Sequence, residues 1–128
     1  MHEPDDVVAG GDLKGLDLWQ VAVQFATDIY GLTRDFPHCE ICGLTAQLRR
    51  AAVSVPSNIA EGYGRGSLRQ FLYFLKAARG SLAEIETQLV ISQRMGYIAG
   101  PGALAERLRQ LHRLLHGMIR STERKLKP

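Results

Sequence analysis

Three groups of residues have types and spacings that can do chemistry. Cys39 and Cys42 form a C-x-x-C pair in His38-Cys39-Glu40-Ile41-Cys42. Such a pair can cycle between dithiol and disulfide, and a helix start there would lower the thiol pKa as redox motifs require. The thioredoxin-like use of the motif needs a βαβ setting, which no strand pattern here provides. The same cysteines could join His112 and His116, a His-x3-His pair, in a Cys2His2 zinc set. The long gap between the two pairs is unlike a zinc finger, so neither a metal nor a cofactor is expected. Asn58 with Glu61 imitates an acid/amide pair, but no nucleophile or base stands at a telling spacing. Gly62, Gly64 and Gly66 alternate, yet they join two helical patterns and read as punctuation. There is no P-loop, no G-x-G-x-x-G after a strand and no nucleophile elbow. A non-enzyme is expected.

The third group lies near the C-terminus. At about 100° per residue, Arg109, Arg113, His116, Arg120, Arg124 and Lys127 fall on one narrow helical stripe, with Lys125 adding charge beside it. Such a stripe can lie along a phosphate backbone, and arginine suits phosphate through its planar fork. No recognition-helix signature or interleaved aromatic accompanies it, so backbone binding is indicated and base readout is not. The plain alternative is a solvated helix face.

The elements that must position these groups are helical. The chain has 128 residues, 45% hydrophobic and 23% charged, enough for one domain with a core. No apolar run approaches the roughly 20 residues that span a bilayer. The start, Met1 to Asp6, is acidic where a secretory signal is basic, and two cysteines are too few for a disulfide framework. A soluble cytoplasmic protein is expected. Residues 1–40 carry eight acids against two bases, and residues 41–128 carry fourteen bases against five acids, so the halves are oppositely charged within a net +3.

Residues 1–13, with Pro4 and Gly10-Gly11, read as a flexible acidic tail. Residues 14–126 read as one domain. Leu16, Trp19, Val23, Ala26 and Tyr30 set the first helical stripe, widened by Ala22, Phe25 and Ile29, and Phe36-Pro37 ends it. A second helix, from about Glu40 to Gly62, has Leu44, Leu48, Ala51, Val55 and Ile59 inward, with Pro56 inside it as a bend. Ser67 and Gln70 make a capping box for a third helix running to about Met95. Its seam is Leu68, Phe71, Leu75, Ala78, Leu82, Ile85, Leu89 and Ser92. Gly80, amid small residues, would let another backbone approach. After a turn at 96–102, Leu104, Leu108, Leu111, Leu115 and Met118 line a fourth helix. The fold expected is all-α, an up-down-up-down antiparallel four-helix bundle.

The second helix also carries a polar row, Gln47, Arg50, Ser54, Asn58, Glu61 and Arg65. Glu84, Glu86 and Gln88 on the third helix are the expected partners of Arg49 or Arg50, in a structural role that sets register or subunit geometry.

The stretch from Gln47 to Arg65, Gln-Leu-Arg-Arg-Ala-Ala-Val-Ser-Val-Pro-Ser-Asn-Ile-Ala-Glu-Gly-Tyr-Gly-Arg, resembles the most recognisable segment of the bacterial 23S ribosomal RNA intervening-sequence proteins. Leu18-Trp19, Phe36-Pro37 with Glu40, and Gly80 to Leu89 support the likeness, which covers roughly residues 16–98. On this resemblance Arg50, Ser54, Pro56, Asn58, Glu61, Gly62, Arg65, Gly80, Glu84 and Glu86 are family positions of structural or assembly role. It also implies a ring-like homopentamer, and a distant likeness to the accessory variability determinant proteins of diversity-generating retroelements. Those are basic pentameric barrels that work with a reverse transcriptase and nucleic acid. The functional expectation is a small oligomeric helical protein associated with nucleic acid, RNA first, through basic faces that include Arg109, Arg113, Arg120, Arg124, Lys125 and Lys127. The competing expectation is an interaction ring for a protein client.

Overall fold

The four apolar stripes become four helices in the computed structural model, which describes residues 12–100 and 102–128. They are α1 (Asp17–Thr33), α2 (Leu44–Gly64), α3 (Leu68–Arg94) and α4 (Gly102–Leu126), with short 3-10 turns at Leu13–Gly15 and His38–Glu40. No strand occurs among the described residues. Short connections force successive helices to run antiparallel. α1 packs on α2, α2 on α3 and α3 on α4, and α4 closes the square against α1. Residues 1–11, most of the expected acidic tail, lie outside the described residues.

The third seam is buried along Phe71, Leu75, Ala78, Leu82, Ile85, Leu89 and Ser92, and the second along Leu48, Ala51, Val55 and Ile59. In α1 the stripe is rotated from its expected position. Leu18, Ala22, Phe25, Ala26 and Ile29 are buried, whereas Trp19 and Val23 are half-buried and Tyr30 is 41% exposed. The residues at the expected margin of that stripe are its centre, because a broad apolar face opposite Asp17, Gln20, Gln24 and Thr27 leaves its exact phase to the neighbouring helices. Hydroxyls that enter the core bond within their own helices: Thr33 Oγ1 donates to the Ile29 carbonyl at 2.8 Å and Thr122 Oγ1 to Met118 at 2.7 Å.

Helix ends follow local chemistry. Ser67 Oγ accepts from the Gln70 N–H at 3.4 Å and caps α3. The α2–α3 turn passes through Gly66 at φ +71°, a left-handed conformation that a Cβ would strain. α2 starts at Leu44 rather than about Glu40, since Glu40 serves as its cap from outside. Glu40 Oε1 accepts from the Leu44 N–H at 3.1 Å, while Oε2 accepts from the Tyr97 hydroxyl at 2.8 Å. Tyr97 also packs on Phe36, ring centroids 5.4 Å apart. The Phe36-Pro37…Glu40 segment thereby ties the α1–α2 connection to the α3–α4 connection. The two hydrogen bonds hold the Glu40 carboxyl below its ordinary range, with the Leu44 N–H the larger cause, and push the Tyr97 hydroxyl up.

Candidate nucleic-acid interface

α4 turns its leucines inward and its arginines outward. Leu111, Leu115, Met118 and Ile119 are buried, while Arg109, Arg113, His116, Arg120, Arg124, Lys125 and Lys127 are all exposed. From Arg109 to Lys127 the row spans about 27 Å at 1.5 Å per residue. Its C-terminal half forms a shallow groove of about 440 Å3 lined by His116, Arg120, Glu123, Arg124 and Lys127. Glu123, the one acid there, is engaged by Lys76 of α3 at 3.5 Å, which draws the carboxylate toward α3. Arg109 is bound to Glu106 at 2.7 Å and so contributes less free charge than its position suggested. Arg109, followed by Arg113, holds the Glu106 carboxyl below its usual range. The side chains of Arg113, Arg120, Arg124 and Lys127 have no hydrogen-bond or ion-pair partner among the described residues. A row of like charges this close repels itself, and a polyanion relieves that repulsion by displacing its own counterions.

The polar row on α2 is partly turned into the α2–α3 seam. Ser54 Oγ and Ser81 Oγ form a short hydrogen bond across it, and Asn58 Nδ2 donates to the Ser54 carbonyl at 2.8 Å. Glu61 and Arg65 pair along α2 at 2.7 Å, with the Arg65 guanidinium 5.4 Å from the Phe74 ring centroid. Pro56 is buried inside α2.

The expected charge pairing between α2 and α3 is not what the seam uses. Arg49 turns to α1, where its Nε donates to Thr33 Oγ1 at 2.9 Å and its guanidinium lies 4.6 Å from the Tyr30 ring centroid. Glu86 turns to α4 and meets His112 Nε2 at 2.7 Å. Arg50 and Glu84 stay exposed without a partner among the described residues. Each side chain points where its helical phase aims it, and the phases of 49 and 86 face the neighbours on the other sides.

The close approach also moves. A Cβ on Gly80 would meet nothing within 4 Å, whereas one on Gly62 would lie 2.8 Å from Phe74 Cβ and 3.2 Å from Phe71 Cα. Gly62 is therefore the glycine that lets α2 and α3 converge.

Cys39 and Cys42 are exposed free thiols ahead of α2. No group of three or more potential metal ligands assembles among the described residues, so Cys39 and Cys42 do not gather with His112 and His116 into a site. No described helix is long and apolar enough to cross a membrane. Sequence reasoning missed the Glu40–Tyr97 bond and the strut from Arg107 Nε to Asp28 Oδ2 at 3.0 Å, which joins α4 to α1. No short-range spacing signals either, because each links residues far apart in the chain.

The family model described as 23S rRNA-intervening sequence protein matches residues 14–120. The match reaches well beyond the 16–98 stretch that carried the resemblance and takes in most of α4, including Arg109, Arg113 and Arg120. Arg124, Lys125 and Lys127 lie past its end. No curated protein matches the chain.

Proposed function

We propose, for a chain that belongs to the 23S rRNA-intervening sequence protein family, a non-enzymatic, self-associating helical bundle that binds RNA through the phosphate backbone along α4. The observation that carries this reading is the exposed row of Arg113, Arg120, Arg124 and Lys127 on a single helix face, whose side chains have no partner among the described residues. Contact with phosphates needs only charge and reach, which this row supplies without aromatic platforms for bases. The ring-like homopentamer implied by the family resemblance is the assembly proposed, and it would present five such rows to one polyanion.

The test is fluorescence anisotropy against structured RNA, single strands and duplex DNA over a salt series. If four phosphates are engaged, affinity falls roughly 50- to 150-fold between 50 and 200 mM salt. The variant Arg113→Glu/Arg120→Glu/Arg124→Glu abolishes binding. Absence of binding at low salt, or equal binding by the triple variant, overturns the reading and directs the search to protein clients.

A further inference from the structure

Between α1 and α2 the chain from Pro37 to Gly43 is wound tightly. The Glu40 N–H donates to the Pro37 carbonyl at 2.9 Å, Ile41 to His38 at 3.1 Å and Gly43 to Glu40 at 2.9 Å. Each bond spans three residues, the 3-10 pattern, in which side chains three apart eclipse one another and the chain rises about 2 Å per residue. Cys39 and Cys42 stand three apart in this run, and both are exposed free thiols. Their Cα atoms are therefore about 6 Å apart with side chains on one side of the turn, a separation that a disulfide bridges. Between them lies Glu40, which caps α2 through the Leu44 N–H and holds the Tyr97 hydroxyl. Its carboxylate folds back over the same turn, since a Cβ on Gly43 would lie 2.7 Å from Glu40 Oε1. The Tyr97 hydroxyl is raised chiefly by Glu40 and least by the charge of Cys39, so that thiol is within electrostatic reach of the clasp.

We propose that Cys39 and Cys42 form a reversible dithiol–disulfide site, oxidised by small-molecule disulfides, whose closure locks the turn that carries Glu40. One cysteine thiolate attacks a sulfur of the small disulfide, forming a mixed disulfide and expelling half of that molecule as a thiolate. The second cysteine thiolate then attacks the sulfur of the first, and the other half leaves. The two cysteines lose two electrons, the small disulfide is reduced to two thiols, and the cysteine protons end on those thiols. An excess of small thiol runs both steps backward. The fold already holds the two sulfurs side by side, so the folded chain closes more readily than an unfolded chain that must first bring them together.

The site is independent of nucleic-acid binding. Glutathione redox buffers test it on the full chain, with remaining thiols alkylated and counted by intact mass. The expected product is a chain lacking two hydrogens, with no glutathione attached and no second chain cross-linked, and dithiothreitol restores the dithiol. Cys39→Ser and Cys42→Ser each stop at one bound glutathione. Folded chain half-closes in a buffer about tenfold less oxidising than the same chain in urea requires. Hydrogen exchange at the Leu44 amide slows severalfold on closure. Two glutathiones on the wild-type chain, or cross-links between chains, overturn the site, as does closure no easier in the folded chain than in urea. Leu44 exchange that is unchanged or faster on closure overturns the locking of Glu40.

Discussion

The α4 face and the α2/α3 groove both carry exposed arginine, and they differ in what stands beside it. On α4, Arg113, Arg120, Arg124 and Lys127 repeat one sign along one helix, and the nearby Glu123 is drawn aside by Lys76. In the groove, Arg50 stands with Glu84 and with Gln88, whose buried Oε1 has no hydrogen-bond partner among the described residues. A row of one sign attracts a polymer of the other sign. A patch holding both signs presents no such one-sided field. The same residue type thus stands in two different electrostatic settings, and its neighbours decide which.

The largest expected effect that sharpens this contrast lies in nucleic-acid affinity. At fixed low salt, Arg120→Ala weakens RNA binding about three- to tenfold and lowers the salt slope by about one contact. Arg65→Ala, whose guanidinium Glu61 already holds at 2.7 Å, changes it less than twofold. Equal losses in the two variants would show that total charge, and not the α4 row, governs binding.

Stability separates the regions next. Gly62→Ala forces a Cβ against Phe74 and Phe71 and costs about 1–3 kcal/mol by overpacking, read as a lower denaturation midpoint. Gly117→Ala, on the open side of α4 where a Cβ meets nothing within 4 Å, stabilises the fold by up to about 1 kcal/mol, read as a higher midpoint. If both substitutions stabilise, the close approach of α2 and α3 is refuted.

A pH series addresses the joint between the connections, which belongs to neither face. The folded Glu40 carboxyl sits below its ordinary value. Its contribution is therefore present above the unfolded carboxylate range and is lost as pH falls through the lowered folded value. Tyr97 is raised, so its contribution is present below the ordinary tyrosine range and lost as pH rises through the raised value. Tyr97→Phe accordingly lowers the melting temperature at neutral pH, and the gap from wild type narrows toward both extremes. A gap that is constant with pH would place the tyrosine's role in its ring packing on Phe36.

The smallest effect is expected at the α3–α4 edge. The His112 and Glu86 side chains are 44% and 43% exposed, so Glu86→Gln costs less than about 1 kcal/mol in chemical denaturation. A larger loss would make that edge a structural pair of the kind expected from sequence.

The seams of α2, α3 and α4 were legible because each mixes large apolar and charged residues at a clear helical period. The α1 stripe was legible only as a broad apolar surface, so its buried line was misplaced toward Trp19 and Tyr30. For the candidate site, the α4 row was legible because its members share one helix and their angular positions follow from residue number. The removal of Arg109 from it by Glu106 was readable in principle, since the two stand three residues apart on the same helix. The partners of Arg49 and Glu86 were not, because a side chain on a bundle helix can reach either neighbour and the helix rotation decides between them.

By itself the sequence determined that this chain forms four helices, where they end at Phe36-Pro37, Ser67 and Gly96, and that one face of the last helix is basic. Those properties depend on contacts within a few residues, which periodicity and capping chemistry record directly. The tertiary structure alone decided that Gly62 and not Gly80 is the point of closest approach, and that Glu40 fastens Tyr97. It also brought Arg50, Glu84 and Gln88 to one groove. Those outcomes depend on how rigid helices rotate and settle against one another, and close packing over the whole core fixes that rotation.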